Sequence, residues 1–269
     1  MNIQFTDLHF TYSSGDKALN GITLNFSGNN PVAIIGQNGS GKTTLAKHFN
    51  GILRPTEGTV LIDGENINSR TTAEWSRKIG YVFQNPQDQL FLETVRKELS
   101  FGPKKIKMGP ESIEKNVLYA AELCQMSDKL DVHPFDLSPT QRKFCAIASI
   151  ITMDPEVVLL DEPTGGQDYD GTLLLEKIIQ ELHSKGKLVI TISHDMDFVI
   201  RNFKRVVVLC NGKVIIDADT LTVFSKVDEL EKTFIEPPPI TRIGQALNFR
   251  ETAATLEDFF IYFDQKLKK

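Results

Sequence analysis

The run Gly36-Gln37-Asn38-Gly39-Ser40-Gly41-Lys42-Thr43 sets a lysine and a hydroxyl directly behind a glycine-rich stretch. That spacing, GxxxxGK(S/T), is suited to phosphate. Glycines let the backbone wrap closely around an anion, and the N–H groups of the loop and of the following helix start bind it. Lys42 then neutralises charge on the β and γ phosphates, and Thr43 offers its hydroxyl to Mg²⁺. From average residue usage, a chance match in a chain of this length has a probability on the order of 0.01.

A second feature is Val157-Val158-Leu159-Leu160-Asp161-Glu162, an apolar run that delivers two adjacent carboxylates at its end. Ligands bind outside the carboxyl ends of strands in open α/β sheets, so two acids there invite different roles. Asp161 can hold Mg²⁺, directly or through water, while Glu162 can polarise a water for in-line attack on a γ-phosphate.

Positioning these groups requires strands that end where the chemistry begins. Pro31–Ile35 is a short apolar run ahead of the glycine loop, and Thr43–Asn50 has helical apolar spacing at Leu45 and Phe49. Further buried-strand candidates are Ile79–Phe83, Val157–Leu160, Leu188–Ser193 and Val206–Leu209. Helical patterns at Ser112–Cys124, Gln141–Ile151 and Thr172–His183 lie between several of them. This alternation predicts an α/β fold with a largely parallel sheet. Ahead of it, Ile3–Tyr12 and Gly21–Phe26 alternate apolar and polar residues and read as antiparallel β, with Ser27–Pro31 as a turn.

Pro237–Pro239 marks a boundary, and beyond it Thr255 and Asp258 make a capping-box-like helix start. Leu256, Phe259, Phe260, Phe263 and Leu267 then fall on one helical face. Two readings stand for this stripe: packing on its own domain, or contact with another subunit.

Composition excludes several classes. The 269 residues are 41% hydrophobic and 24% charged, ordinary for a folded protein and unlike disordered or collagen-like chains. A net charge of -5 lacks the basic footprint of a nucleic-acid binder. Three widely spaced cysteines form no CxxC pair, which suggests neither a disulfide framework nor a zinc site. No stretch approaches the roughly 20 apolar residues that cross a bilayer, and Met1–Phe10 lacks a signal-peptide pattern, so a cytosolic chain is expected.

With both motifs in place, the chain resembles the nucleotide-binding subunit of ATP-binding cassette (ABC) transporters over roughly Met1–Asp217, because the family's other elements follow in order. Gln84, after Gly80-Tyr81-Val82-Phe83, is similar to the glutamine that reaches Mg²⁺ and the attacking water and senses the membrane partner. His194, in Thr191-Ile192-Ser193-His194-Asp195, matches the switch histidine that contacts the γ-phosphate. Tyr12 is placed like the aromatic on which adenine stacks. The resemblance implies ATP and Mg²⁺ as cofactors, with nucleotide contacts from Tyr12, Gly36, Gln37, Asn38, Gly39, Ser40, Gly41, Lys42, Thr43 and Thr44. It assigns catalysis to Glu162, His194, Gln84 and Lys42, and the metal to Thr43, Gln84 and Asp161. The implied fold is an ABC-type P-loop NTPase: a RecA-like core, an N-terminal antiparallel β subdomain, a helical signature subdomain at about 86–150, and a small C-terminal helical extension. The expected division is 1–218 and 219–269.

One motif departs from the family. In place of LSGGQ stands Leu137-Ser138-Pro139-Thr140-Gln141, with both glycines replaced. Helix initiation should survive, with Ser138 as N-cap, Pro139 in the first turn and Gln141 closing a capping box. In the family this helix start binds the γ-phosphate of nucleotide held by the other subunit of a dimer. Pro139 has no N–H to give, and Thr140 adds a Cβ. Losing one charge-assisted hydrogen bond costs about 1.5 to 3 kcal/mol, roughly 10- to 150-fold at one site. The loop after Glu162 departs too, since Gly165-Gly166-Gln167-Asp168 fits the family only at Gly166 and Asp168. A homodimer would hold two weakened sites, so a heterodimer with a second ABC ATPase is expected.

The stretch Gln84-Asn85-Pro86-Gln87-Asp88-Gln89-Leu90-Phe91, with Thr94-Val95 and Phe101-Gly102-Pro103, is similar to energy-coupling factor (ECF) transporters. Pro237–Leu247 also looks like their C-terminal extension, which supports contact between ATPase subunits. This resemblance implies a transmembrane scaffold subunit and a substrate-binding membrane subunit as partners, peripheral location on the cytoplasmic membrane face, and a vitamin or transition-metal ion as cargo. Leu90, Phe91 and Leu92 either face the scaffold or cover the helical subdomain. A low-turnover ATP-binding module serving a partner's site, or an ATPase of another ABC transporter class, stands as the alternative. DNA- or ribosome-directed ABC proteins should show a coiled coil, tandem cassettes or a basic surface, and the sequence has none.

Overall fold

The computed structural model describes residues 1–267; residues 268 and 269 lie outside the described residues. In chain order the strands are β1 (Asn2–Thr11), β2 (Lys17–Ser27), β3 (Val32–Gly36), β4 (Glu57–Ile62), β5 (Glu65–Asn66), β6 (Ile79–Val82), β7 (Val157–Asp161), β8 (Leu188–Ile192), β9 (Arg205–Cys210) and β10 (Lys213–Asp219). The helices are α1 (Lys42–Phe49), α2 (Thr72–Trp75), α3 (Val95–Lys105), α4 (Pro110–Leu123), α5 (Pro139–Ile151), α6 (Tyr169–Ser184), α7 (Met196–Asn202), α8 (Thr220–Ser225), α9 (Val227–Lys232), α10 (Pro239–Ala246) and α11 (Leu256–Leu267).

The strands make two sheets. One has the order β2-β1-β4-β5 and is antiparallel throughout, with Asn2 opposite Ser27 at the open end of the first pair. The β1–β2 turn is Tyr12–Asp16, closed by Tyr12 N–H donating to Asp16 O at 2.9 Å, whereas Ser27–Pro31 carries the chain into the second sheet. That sheet has the order β10-β9-β3-β8-β7-β6, parallel except for β10.

Every residue of β3, β7 and β8 is buried, as expected of strands covered on both faces. Alternation divides them between two cores. Val32, Ile34, Val157 and Leu159 join Phe5, Phe26 and Phe49 beneath the antiparallel sheet. Ala33, Ile35, Val158 and Leu160 face the helical side with Leu99, Phe144, Ile147 and Ile178. The parallel sheet is thus a middle layer, and its carboxyl edge collects the loops after β3, β6, β7 and β8.

Between β6 and β7 run α3, α4 and α5, packed on one another through Val95, Leu99, Val117, Ala120 and Phe144. Leu90 belongs to this core at 2% exposure, while Phe91 is 62% exposed and stacks edge-on against Phe101 at 5.0 Å. The apolar surface expected of Leu90, Phe91 and Leu92 therefore reduces to Phe91 and the half-buried Leu92. Beyond β10, Val223, Phe224 and Leu230 of α8 and α9 pack into the main core. The capping box expected at α11 is present: Asp258 N–H donates to Thr255 Oγ1 at 3.1 Å, and Thr255 N–H to Asp258 Oδ2 at 2.9 Å. Its apolar stripe splits. Phe259 and Phe263 are half-buried and stacked at 6.0 Å, whereas Leu256, Phe260 and Leu267 are exposed.

Candidate nucleotide site

Gly36 ends β3 where a Cβ would collide with the Leu209 carbonyl oxygen, and Gly41 has φ +101° with a Cβ position 2.6 Å from the Ala18 carbonyl oxygen. These two positions are open to glycine alone, and they fold the loop tightly onto α1. The first helical hydrogen bond runs from Leu45 N–H to Gly41 O at 2.8 Å. The N–H groups of Lys42, Thr43 and Thr44 therefore have no carbonyl one turn back and open at the helix start. Lys42 is buried, and its Nζ donates to Gly36 O at 2.7 Å and Gln37 O at 2.8 Å. Burial lowers its pKa, and the Glu162 and Asp161 charges oppose that.

Tyr12 stands at the rim. Its hydroxyl lies 2.9 Å from Thr44 Oγ1, and its ring packs edge-on against Phe10 at 4.9 Å. Thr43 Oγ1 donates to Asp161 Oδ1 at 3.4 Å. Asp161 is 2% exposed at the end of β7, and Tyr81 from the neighbouring β6 donates to its Oδ2 at 2.6 Å. Burial raises the Asp161 pKa, while the Tyr81 and Thr43 hydrogen bonds lower it.

Glu162 adopts a left-handed backbone with φ +49°, a conformation disfavoured for a residue with a Cβ. Its N–H donates to Ile192 O at 3.0 Å, and its carbonyl accepts from Lys143 Nζ at 2.9 Å. Burial pushes its pKa up to about 7, with Lys42 pulling down and Asp161 pushing further up. Oε1 of Glu162 lies 2.9 Å from Nε2 of His194, off hydrogen-bond geometry, and stays buried without a hydrogen-bond partner. Partial desolvation in the cleft and the Lys42 charge both lower the His194 pKa, although its side chain is 44% exposed. Its loop is fixed by Asp195 N–H donating to Ser193 Oγ at 3.0 Å and by Asp195 capping α7 through Phe198 N–H at 2.9 Å.

One cleft brings together Tyr12, Asn38, Gly39, Gly41, Lys42, Thr43, Thr44, Gln84, Glu162 and His194, with Ala18 added. Asp161 sits beneath it through Thr43. Ser138, Pro139, Thr140 and Gln141 lie outside it; Thr140 and Gln141 line another groove with Asp168 and Asp170. The helix start there is intact, with Gln141 N–H donating to Ser138 Oγ at 3.2 Å and Ser138 N–H to Gln141 Oε1 at 3.1 Å. A larger groove between α9 and α10 offers apolar walls and no phosphate-binding loop, so chemistry, not size, assigns the site.

Ala18, Tyr81 and Lys143 escaped the sequence reading. Tyr81 alone had a signal there, as a polar-tipped aromatic in an apolar strand just before Gln84.

The ABC transporter family profile matches residues 19–165, more than half of the chain. This protein belongs to the ABC transporter ATP-binding family. The ABC ATPase is 37% identical over 255 residues to a putative ABC transporter ATP-binding protein of Pyrococcus furiosus, covering 95% of this chain and 97% of that one. It is 38% identical over 251 residues to the energy-coupling factor transporter ATP-binding protein EcfA of Methanocaldococcus jannaschii, covering 93% and 90%. Among solved structures, cbiO1 from Clostridium perfringens, described as part of the ABC transporter complex cbiONQ, superposes with a TM-score of 0.77 at 34% identity over 91% of this chain and 98% of that one. A bacterial ABC transporter cassette solved as a dimer gives 0.74 at 27% identity, covering 81% and 98%. The ABC ATPase is thus an ATP-hydrolysing P-loop enzyme with a RecA-like core, closely related to ECF-type ATPases. No helix among its described residues is long and apolar enough to cross a membrane.

Proposed function

We propose that this ABC ATPase powers an ECF-type importer of a vitamin or a transition-metal ion from the cytoplasmic face of the membrane, as a peripheral subunit. The observation that carries the reading is the convergence of Lys42, Glu162 and His194 on one cleft with the phosphate loop. In this reading Lys42 and the N–H groups at the start of α1 hold the β and γ phosphates, and Tyr12 supports the adenine. Glu162 Oε1, with no hydrogen-bond partner, accepts the proton of the attacking water, and neutral His194 donates to the γ-phosphate. Thr43, Asp161 and Gln84 offer only oxygen donors on the metal side, which fits Mg²⁺. Bound there, Mg²⁺ supplies neutralisation of charge on the phosphate oxygens.

The signature Ser138-Pro139-Thr140-Gln141 would face nucleotide held by a second, different ABC ATPase, pairing one competent site with one impaired site. Exposure of Ser138 and Pro139 and their separation from the chain's own cleft support this arrangement. Likeness to the Methanocaldococcus energy-coupling factor transporter ATP-binding protein supports the ECF assignment and, with it, a transmembrane scaffold and a substrate-binding membrane subunit. Likeness to cbiO1, part of the ABC transporter complex cbiONQ, supports work within a multi-subunit transporter. We divide the chain into a nucleotide-binding domain at 1–218 and a subunit-contact extension from 219. The exposed Leu256 and Phe260 of α11 support the contact role.

ATPase turnover of the chain and of Glu162→Gln, each alone and with the cassette subunit that co-purifies, tests the reading. Weak activity alone that rises with the partner and collapses in the variant is expected. The replaced signature glycines favour a second reading, an ATP-binding module with little turnover of its own. Near-full activity of the Glu162→Gln complex would decide for it.

A further inference from the structure

Lys143 is buried in α5, five residues beyond the N-cap Ser138, with 7% of its surface exposed. Its Nζ donates to Glu162 O at 2.9 Å and to Gly165 O at 3.1 Å. Among the described residues no carboxylate forms an ion pair with it. Burial lowers the Lys143 pKa, and the Glu162 and Asp161 charges oppose that from beyond ion-pair distance, so its direct contacts are carbonyls and desolvation of the charge is only partly returned. The carbonyls it holds are telling. Glu162 is the one residue of the cleft with a left-handed backbone and a Cβ, and its carboxylate direction is set by that strained turn. The Glu162 N–H is fixed to Ile192 O at the end of β8, and Gly165 N–H closes the turn onto Glu162 O at 3.3 Å. Lys143 clamps the remaining side and spans the turn from Glu162 to Gly165.

We propose that Lys143 is a positioning residue for Glu162, a hydrogen-bonded strut through which the helix that starts at the signature sets the placement of the hydrolytic carboxylate. Movement of α5 when its N-terminus meets the nucleotide of the neighbouring subunit is then carried to the carbonyl of Glu162. The strut is short and stiff: Ser138 and Lys143 lie on the same helix, about 7.5 Å apart along its axis. Arginine can span the same two carbonyls with its planar donors, whereas methionine keeps the stem and removes every donor. The proposal rests on the reading of Glu162 as the group that activates water.

The test uses the full chain with its co-purified partner ATPase and compares Lys143→Met, Lys143→Arg and Glu162→Gln. Turnover and KM come from ATP hydrolysis, and ATP affinity from titration in EDTA. We expect Lys143→Met to lower kcat tenfold or more while ATP affinity and KM stay within about twofold. Lys143→Arg should restore kcat to within about threefold of the unaltered protein. In the Glu162→Gln background Lys143→Met should cost nothing further. An unchanged kcat in Lys143→Met overturns the proposal, as does equal loss of kcat and affinity, or failure of arginine to rescue a protein that melts normally. If Lys143→Met does not fold, Lys143→Leu, which also lacks any donor, takes its place with the same expectations. Full turnover in Glu162→Gln instead overturns the reading of Glu162 itself, and is seen without reference to any Lys143 variant.

Discussion

The Tyr81 hydroxyl donates to Asp161 Oδ2 at 2.6 Å, tying the strand that leads to Gln84 to the strand that carries both carboxylates. Thr43 reaches the other oxygen of the same carboxylate at 3.4 Å, so Asp161 is oriented from two sides. Tyr81→Phe removes a charge-assisted bond of about 1.5 to 3 kcal/mol and lets burial raise the Asp161 pKa further. A carboxylate less ionised and less well aimed binds Mg²⁺ more weakly. The Mg²⁺ concentration for half-maximal ATPase activity should rise roughly tenfold or more, with ATP binding in EDTA unchanged. An unaltered Mg²⁺ dependence would show that Tyr81 serves the core alone.

The start of α5 keeps its capping box despite Pro139 and Thr140, so the departure from the family takes away an N–H and adds side-chain bulk without removing the helix. Restoring both glycines in Pro139→Gly/Thr140→Gly returns one N–H and clears both Cβ atoms. If the signature limits the impaired site, turnover of the heteromeric complex should rise, by up to about 10- to 150-fold at that site. Losing proline at the first helical position should lower stability by about 1 kcal/mol. Turnover that stays flat while the melting temperature falls would place the limit elsewhere.

Much of this architecture is legible because its cause is local. The buried strands β3, β7 and β8 are uninterrupted apolar runs, the glycine loop fixes its own shape, and the helix starts at Ser138 and Thr255 write both halves of their capping boxes. What escapes is set by neighbours distant in sequence. Helix α3 continues through Gly102-Pro103, a pair that ordinarily marks a turn, and there Gly102 packs where a Cβ would meet Met153 Sδ at 2.6 Å and Pro103 is buried. Leu90 and Phe91 are equivalent in composition, yet one points into the core and the other outward. Tyr81 and Lys143 join the site only because β6 lies beside β7 and α5 crosses beneath the Glu162 turn.

His48 gives the fold a pH dependence that does not involve catalysis. Its ring is fully buried in α1, with Nδ1 2.7 Å from Thr44 O, Nε2 without a partner, and Phe10 edge-on at 4.9 Å. Burial lowers its pKa below the ordinary 6.5, so the neutral ring is the folded form. As pH falls through 6.5 the unfolded chain takes up a proton that the folded chain refuses until a lower pH. Stability is therefore fully present above that value and declines below it, by up to about 1.4 kcal/mol per pH unit. Melting temperatures at pH 7.5 and 5.8 should differ more in the unaltered protein than in His48→Gln, whose amide can still donate to Thr44 O. Equal shifts in both proteins would assign the acid sensitivity to other groups.

Gln89 clasps the backbone ahead of Gln84 to the signature helix. Its Oε1 accepts from Phe83 N–H at 3.1 Å, while its Nε2 donates to Ala146 O at 2.7 Å and Ser149 Oγ at 3.0 Å. Leucine fills similar volume and makes none of these bonds, leaving the half-buried Phe83 N–H unpaired, whereas Ala146 O keeps the bond from Ser149 Oγ at 2.9 Å. An unsatisfied half-buried N–H costs about 1 to 3 kcal/mol, so Gln89→Leu should lower unfolding free energy in urea by about that much. Glutamate is the sharper variant, because it keeps the acceptor for Phe83 N–H and loses both donors to α5. A loss for Gln89→Glu comparable to that of Gln89→Leu places the stabilisation in the link to α5, and with it the tie between the Gln84 segment and the signature. If glutamate is tolerated, the bond to Phe83 is the one that counts, and the two segments are coupled through packing alone.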